Sequence, residues 1–252
     1  AAVGASIIAT NTTVNVTEGS DSEKGRNGAE NGTVTINGST DGVTVTVAVI
    51  TYPGSDNYYG FTSLADAIEF AKAGDVVTLI RDITSNSIIT INKAITLDGN
   101  GKKLTSTATR AINVDTEGKV AIKNLTINAS GERAINVITK PANVTIENVT
   151  ATAANYTVNV AASAGAAKVA INNSNLTGLN VVNVASAGAQ VTIDNSTVNC
   201  NDNNTTAGES YAALCLNKAA VDASIVATNS EINVAAGSDS EKGRNGAENG
   251  TV

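Results

Sequence analysis

Short runs in which apolar and polar residues alternate recur at a regular spacing along most of the chain. Four pentamers show the pattern best, with RAINV at Arg110, RAINV at Arg133, YTVNV at Tyr156 and NVVNV at Asn180. Their first residues lie 23, 23 and 24 positions apart. A second alternating run and an asparagine follow each pentamer, which predicts three short strands in each repeat of about 23 residues.

Alternation places one set of aliphatic side chains on the same side of these strands, which we expect to be the core side. If each repeat is one turn of a coil, equivalent side chains stack along an axis, with strands about 4.8 Å apart. The sequence therefore predicts an all-β fold, a parallel β-helix with about 23 residues per coil. The predicted stack comprises Ile112, Val114, Val120, Ile122, Leu125, Ile127, Ile135, Val137, Val144, Ile146, Val149, Val158, Val160, Val169, Ile171 and Leu176.

An asparagine follows the second strand of each repeat at a shared offset after an isoleucine. These residues are Asn124, Asn148, Asn173 and Asn195, and Asn229 fits the same pattern. Asparagine tolerates the left-handed backbone of a sharp corner, and its amide can donate to one coil while accepting from the other. We expect an internal asparagine ladder, with ordinary exposed turn asparagines as the alternative.

One segment has the period of a helix instead. Ser63 to Gly74 carries apolar residues at Leu64, Ala67, Ile68 and Ala71, with Ser63 and Asp66 as a capping pair. This pattern predicts a short amphipathic helix near residues 63–73. Its apolar face is suited to covering the open end of a β-helix, where unpaired strand edges promote aggregation.

The sequence around this helix has a specific resemblance. FTSLADAIEFAKAGDVVTLI from Phe61 to Ile80, followed by IITINKAITLDGNGKKL from Ile88 to Leu104, resembles the opening of pectate-lyase-like right-handed parallel β-helices. In that superfamily an amphipathic helix caps the first coil, and the DGNG corner ending at Gly101 is similar to the turn that begins the full coils. The resemblance covers about residues 58–234 and implies a right-handed β-helix. It implies no single activity, because the superfamily includes lyases, hydrolases, adhesins and stalks.

The first 34 residues return near the end of the chain. Residues 1–34 reappear as residues 219–252, and the last sixteen residues of the two copies are identical. A long unit copied with so little divergence indicates a tandem array of whole domains. We therefore divide the chain into residues 1–50, the tail of a preceding repeat copy, and residues 51–252, a β-helix module that is incomplete at its C-terminal end.

Two expectations follow for the segment between the tail and the module. Residues 35–50 alternate around Asp41 and Gly42, which predicts a hairpin or a final coil, and Tyr52–Tyr59 is predicted to be a linker. Our hypothesis is that residues 35–50, from the same chain or from a neighbouring one, complete the open C-terminal coil of the module.

Composition limits the partners. The 252 residues carry 16 Lys and Arg against 23 Asp and Glu, a net charge of −7, so the chain offers no basic surface for phosphates. We expect no nucleic-acid partner and no membrane insertion, because no run approaches the roughly 18 apolar residues of a membrane span. There is no histidine, so acid–base chemistry would depend on carboxylates.

Candidate chemical residues are few. Outward positions give the column Lys123, Glu147, Asn172 and Asp194, which contains no repeated acid pair. A paired-carboxylate site from Asp115 with Glu117 or Glu132 is the enzymatic alternative to solvated surface charge. Arg110 and Arg133 occupy equivalent positions on successive coils, where they either clamp an anionic sugar or pair with Glu132; we favour the second.

Two further features leave alternatives open. Cys200 and Cys215 are the only cysteines, and both are assigned to inward positions, Cys215 at the position of Val160 and Val184. They form either a disulfide or two buried thiols. The polar segment 19–32, copied as 237–250, offers oxygen ligands for Ca²⁺ but lacks EF-hand spacing, and we favour a polar insertion between strands.

These observations favour a non-catalytic structural or adhesive repeat module of an extracellular tandem-repeat surface protein or filament, without cofactors. Its expected partners are neighbouring copies of the repeat, by strand completion, and surface glycans or host receptors. One alternative is a polysaccharide lyase or glycoside hydrolase on the same scaffold. The other is an ice-binding solenoid, which needs threonines on every coil of a flat face, whereas Thr126, Thr150 and Thr177 are too sparse in the sequence.

Overall fold

The computed structural model describes residues 6–9, 33–36, 46–51, 58–201, 212–234 and 246–247. The chain is an all-β solenoid of about five turns with about 24 residues per coil. Strands of successive coils pair in parallel and in register from β5 onward along the chain. The predicted parallel β-helix with three strands per coil is confirmed.

The strands and helices are as follows in chain order. They are β1 Ser6–Ala9, β2 Thr33–Ile36, β3 Ala48–Thr51, β4 Tyr58–Phe61, α1 Leu64–Phe70, β5 Val76–Leu79, β6 Ile83–Ser85, β7 Ile89–Ile91, β8 Thr96–Asp98, β9 Lys103–Ser106, β10 Arg110–Val114, β11 Lys119–Ala129, β12 Arg133–Val137, β13 Asn143–Thr152, β14 Tyr156–Val160, a 3₁₀ turn Ala162–Ala164, β15 Lys168–Asn172, β16 Asn175–Gly178, β17 Asn180–Val184, β18 Gln190–Asp194, β19 Thr197–Cys200, β20 Leu214–Leu216, β21 Ser224–Thr228, β22 Glu231–Asn233 and β23 Gly246–Ala247.

The coils have three faces. Face A is formed by β5, β8, the first halves of β11 and β13, β15, β18 and β21. Face B is formed by β6, β9, the second halves of β11 and β13, β16, β19 and β22. Face C is formed by β7, β10, β12, β14, β17, β20 and β23. A sharp corner at an asparagine separates face A from face B, so β11 and β13 each contribute to both.

The core is the predicted aliphatic stack. All sixteen residues of the predicted stack are buried, and none is more than 2% exposed. Ile122, Ile146 and Ile171, for example, are paired in register on successive strands of face A and are fully buried. Each stacked side chain packs on its equivalents above and below, so a single coil has no core of its own and depends on its neighbours.

The N-terminal end of the solenoid is covered by α1. The Ser63 hydroxyl accepts from the backbone N–H of Asp66 at 3.0 Å, which confirms the predicted N-cap. Leu64, Ala67 and Ile68 are buried on the face that packs against the solenoid. Lys93 of the next coil caps the C-terminal end of α1. Its Nζ donates to the backbone oxygens of Ile68 at 3.2 Å and Ala71 at 2.9 Å. This cap closes the first coil as the sequence predicted.

The segment before the helix differs from the expectation. β3 pairs antiparallel with both β4 and β5, so Ala48–Thr51 lies at the N-terminal end of the solenoid and does not complete the C-terminal coil. Tyr58–Phe61 is a strand, so the predicted linker is wrong for its last two residues. Thr33–Ile36 pairs in parallel with Ser6–Ala9, as strands of successive coils do, so residues 35 and 36 are compatible with the final-coil alternative. Asp41 and Gly42 lie outside the described residues.

Candidate functional site

The corner between face A and face B carries the predicted asparagine column. Asn124, Asn148, Asn173, Asn195 and Asn229 all have left-handed backbone, with φ between 46° and 53°. The side-chain amide of Asn148 donates to Asn124 Oδ1 at 2.8 Å, and that of Asn195 donates to Asn173 Oδ1 at 2.6 Å. Asparagine suits this corner because its short polar side chain lowers the steric cost of the left-handed region.

The column differs from the prediction in two respects. Among the described residues, no hydrogen bond joins the Asn173 and Asn148 side chains, and Asn229 donates to Asp194 at 2.9 Å instead of to Asn195. Asn148, Asn173 and Asn195 are also exposed, so the ladder is external where we expected an internal one. It stabilises the corner conformation in contact with water.

A second asparagine column is buried, and the sequence reasoning missed it. Asn136 donates to Asn113 Oδ1 at 2.9 Å, Asn159 to Asn136 Oδ1 at 2.7 Å, and Asn183 to Asn159 Oδ1 at 2.7 Å. Asn136 has no solvent exposure, and Asn159 and Asn183 are buried. The signal was the asparagine at the fourth position of every quoted pentamer. This column is the continuous polar element of face C, on β10, β12, β14 and β17.

The outer surface of face B presents two columns composed mainly of threonine and asparagine, which we call the Thr/Asn face. Apart from Lys103 at its first position and Glu231 at its last, it carries no charge in the coils from β9 to β22. One column contains Lys103, Thr126, Thr150, Asn175, Thr197 and Glu231, and the other contains Thr105, Asn128, Thr152, Thr177, Asn199 and Asn233.

Amide groups link part of this surface. Asn199 donates to Asn175 Oδ1 at 2.9 Å, and Asn233 donates to Asn199 Oδ1 at 3.0 Å. Thr150, Thr152 and Asn175 are exposed. The three threonines that appeared sparse in the sequence belong to this denser surface, because intervening asparagines and further threonines share their columns.

The predicted charged column lies on face A. Lys123, Glu147, Asn172 and Asp194 are in register on successive strands. At the first position of this column, Lys123 Nζ lies 3.2 Å from Asp98 Oδ2. The column mixes both charge signs with an amide, and it contains no pair of adjacent acids.

The two arginines occupy equivalent positions on face C, as predicted. Arg110 is paired in register with Arg133, and Arg133 Nη2 lies 3.1 Å from Glu132 Oε1, in agreement with the favoured pairing. The Arg133 guanidinium also lies over the ring of Tyr156, 5.2 Å from its centroid. The Nε atoms of Arg110 and Arg133 are buried without a hydrogen-bond partner among the described residues.

Two of the candidate acids are held by neighbouring side chains. Asp115 accepts a hydrogen bond from the Thr139 hydroxyl, and Glu132 is held by Arg133. Within the described ranges, no group of three or more His, Cys, Asp or Glu side chains is placed to hold a metal ion. The Ca²⁺ candidate segments 19–32 and 237–250 lie outside those ranges, apart from Gly246–Ala247.

The cysteines are not joined by a disulfide. Cys200 is buried, and its Sγ donates to Leu179 O at 3.1 Å. Cys215 is paired with Asn183, so it continues the position of the buried asparagine column, and Leu214 and Leu216 take the inward positions. The inward assignment of Cys215 was therefore wrong by one residue.

No family model, no curated protein and no solved structure matches this chain. A helix of the length and hydrophobicity that a membrane span requires is absent from the described part of the chain.

The pKa of Asp98 gives a test of the corner geometry. Partial burial raises this pKa, but hydrogen bonds from the Asn124 side chain, the Asn100 backbone N–H and Lys123 outweigh burial and hold it below the ordinary value. A lowered carboxyl pKa contributes stability above the unfolded-state pKa of about 3.9, and this contribution is lost as the pH falls through the folded-state pKa.

We therefore expect Asp98→Asn to lower the free energy of unfolding at pH 7 by no more than about 1 kcal/mol, because the site is partly exposed. This deficit should vanish when urea denaturation is repeated near pH 2. Glu147→Gln, an exposed carboxylate of the same column, is the control. A deficit for Asp98→Asn that is equal at both pH values contradicts the assignment.

Proposed function

We propose that this chain is a structural and adhesive repeat module of an extracellular tandem-repeat surface protein or filament, and that it is not an enzyme. The observation that carries the proposal is the uninterrupted parallel register of face A from β5 to β21. Every coil is joined to the next by backbone hydrogen bonds and by the aliphatic stack. Such a solenoid has the properties of a stiff rod, and its length grows with the number of coils.

The duplicated ends support a tandem arrangement. Ser6–Ala9 is the copy of Ser224–Ala227, and both are strands. Rods linked in series extend from a surface and present the same contacts many times, so weak contacts add up through effective concentration. We place the protein outside the cell or on its surface, and we relate its scaffold to the pectate-lyase-like β-helices that serve as adhesins.

The outer surfaces suggest which ligands the module contacts. The Thr/Asn face supplies hydroxyl and amide groups that can exchange hydrogen bonds with the hydroxyl groups of surface glycans or with polar groups of a host receptor. The net charge of −7 disfavours nucleic acid. Neighbouring copies of the repeat are the other partners of this proposal.

The test compares binding and catalysis in one set of samples. The purified chain is applied to a panel of immobilised neutral and acidic glycans, both as free protein and displayed in many copies on beads. We expect weak binding by the free chain and a gain of about 100-fold or more on beads, as multivalency requires. No new reducing ends or unsaturated sugars should appear in the glycans after prolonged incubation.

Catalysis is the outcome that contradicts the proposal. If reducing ends or unsaturated products accumulate and Arg110→Ala or Arg133→Ala abolishes them, the chain is a polysaccharide lyase or hydrolase. Lys140→Ala is the matched control, because Lys140 is an exposed cation outside the arginine column.

An ice-binding solenoid is the second candidate function, favoured by the two regular columns of the Thr/Asn face. Thr126 and Thr150 are adjacent in one column, and Thr152 and Thr177 are adjacent in the other. Side chains on adjacent strands lie about 4.8 Å apart, and alternate side chains along one strand lie about 6.7 Å apart. An ice-binding protein would show thermal hysteresis that Thr150→Lys abolishes and Thr145→Lys, on face A, preserves; freezing at the colligative point would exclude this candidate.

A further inference from the structure

The C-terminal end of the solenoid leaves part of its aliphatic stack uncovered. Ala227 is paired in register with Ile193 and occupies the same inward position, yet Ala227 is exposed whereas Ile193 is fully buried. On face B, Ile232 is only partly buried, whereas Val198, its partner in the preceding coil, is fully buried. Among the described strands, β21 is the last of face A. This end therefore presents a strand edge together with exposed core positions.

The same chain contains a copy of this strand with its next coil in place. Ser6–Ala9 reads SIIA and Ser224–Ala227 reads SIVA, 218 positions later. Ser6–Ala9 pairs in parallel with Thr33–Ile36, in the register Ser6 with Thr33, Ile7 with Val34, Ile8 with Thr35 and Ala9 with Ile36. The first copy thus shows which segment stacks on this strand and in which register.

We propose that the uncovered end binds a second copy of this chain, with Thr33–Ile36 of the second copy stacking in parallel on Ser224–Ala227 of the first. The register is the one that the chain already uses, so Val226 faces Thr35. This inference rests on the proposed tandem-repeat function, since it names the surface through which repeats contact each other.

The contact is an exchange of equivalent strands. Ser224–Ala227 copies Ser6–Ala9, so it approaches Thr33–Ile36 from the same edge and takes the place of Ser6–Ala9. The two strands differ only by valine in place of isoleucine at one position, so the backbone pairing lost and the pairing gained are nearly equivalent. The exchange covers Ala227, which the isolated end leaves exposed, while Ser6–Ala9 loses its partner strand, so the net change in buried apolar surface is small. Exchange of an identical element between protomers is a low-cost route to association.

Disulfide trapping between two single-cysteine chains tests the register. Cys200 and Cys215 are first replaced by alanine in both chains. One chain then carries Val226→Cys, at an exposed position on the outer surface, and the other carries Thr35→Cys and a tag that changes its mass. In the proposed register the two Cα atoms lie about 4.8 Å apart, within the range that a disulfide bridges.

The matched control replaces Thr35→Cys by Thr33→Cys, two residues earlier in the same strand. Its Cα atom would lie about 8 Å from that of residue 226, beyond disulfide reach. We expect the mixed dimer to form at least about ten times faster with Thr35→Cys than with Thr33→Cys, because only one pair is within reach. Ile8→Cys with Thr35→Cys in a single chain should close an internal disulfide, which verifies that the tail is folded and the oxidation works.

Two outcomes overturn the inference. One is equal rates for the Thr35→Cys and Thr33→Cys mixtures, and the other is no mixed dimer in either while the internal disulfide of the single chain closes. The bead-binding measurement separates this failure from failure of the proposed function. A multivalency gain without trapping rejects only the strand exchange, whereas loss of both rejects the adhesive repeat as well.

Discussion

Replacing Asn136 with alanine is expected to lower the free energy of unfolding by about 3 kcal/mol, because two hydrogen bonds of a fully buried amide are lost together. Asn136 is completely buried, donates to Asn113 at 2.9 Å and accepts from Asn159 at 2.7 Å. In the variant the Asn159 amide loses its acceptor in a place that water does not reach. Leaving a buried polar group unpaired costs more than the net gain of forming the bond.

Asn148→Ala is the matched control, measured by urea denaturation under the same conditions. Asn148 is exposed, donates to Asn124 at 2.8 Å and has φ of 53°. Water replaces the lost bond, so the expected loss is about 1 kcal/mol, mainly from the left-handed backbone. Equal losses in the free energy of unfolding for Asn136→Ala and Asn148→Ala would contradict the argument that burial strengthens the contribution of the Asn136 column.

Gly131→Ala is expected to destabilise the solenoid by about 3 kcal/mol, at the upper end of overpacking effects. A Cβ atom at Gly131 would lie 1.9 Å from Ala108 O and 2.9 Å from Thr109 Cα. These are backbone atoms of the preceding coil, so no rotation of a side chain relieves the clash. The coil spacing is fixed by strand pairing on either side of the corner, and the added methyl group must therefore distort that pairing.

The sequence repeat alone gives the opposite expectation for this position. Ala108 and Ala154 stand 23 residues before and after Gly131, so alanine looks acceptable there. Gly101→Ala is the control, because its Cβ would meet no heavy atom within 4 Å, although φ is 73°. Its expected cost is about 1 kcal/mol from the backbone conformation. A melting temperature for Gly131→Ala equal to or above that of Gly101→Ala would contradict the steric argument.

The regular coils were predictable from the sequence because one physical cause determines them. Alternation separates core from surface, and the period of about 23 places like residues on one axis. Residues such as Ile112, Ile135 and Val158 therefore stack as predicted, in register on β10, β12 and β14. The helix was predictable for a similar reason, since its period and its Ser63 cap are local signals.

Positions where both sides of a strand are buried were harder to predict. Alternation marks Asn136 and Asn159 as outward residues, which suggests exposure, yet both are buried. The hydrogen bond between their side chains allows both amides to be buried. This pairing can be recognised only when the residues of successive coils are aligned with each other. The prediction for Cys215 was wrong by one residue because this coil is longer than the others: 32 residues separate Cys215 from its partner Asn183, whereas 24 separate Asn183 from Asn159.

Local sequence patterns also failed to predict the Thr/Asn face and the strand pairing at the N-terminal end of the solenoid. A search for threonine alone misses Asn128 and Asn175, which share columns with Thr152 and Thr150. The antiparallel position of Ala48–Thr51 depends on long-range pairing with β4 and β5, and the alternation of that segment fits several partners.

The coil that contains Cys200 and Leu214 shows that the number of residues in a coil can change without shifting the register of strand pairing. Asn195 follows Asn173 by 22 residues, whereas Thr228 follows its hydrogen-bond partner Asp194 by 34, and face A stays in register through both coils. We therefore expect further residues inserted between β19 and β20 to leave the register of face A unchanged. One coil of this rod can thus carry extra residues in a strand connection while the strands around it keep their stacking.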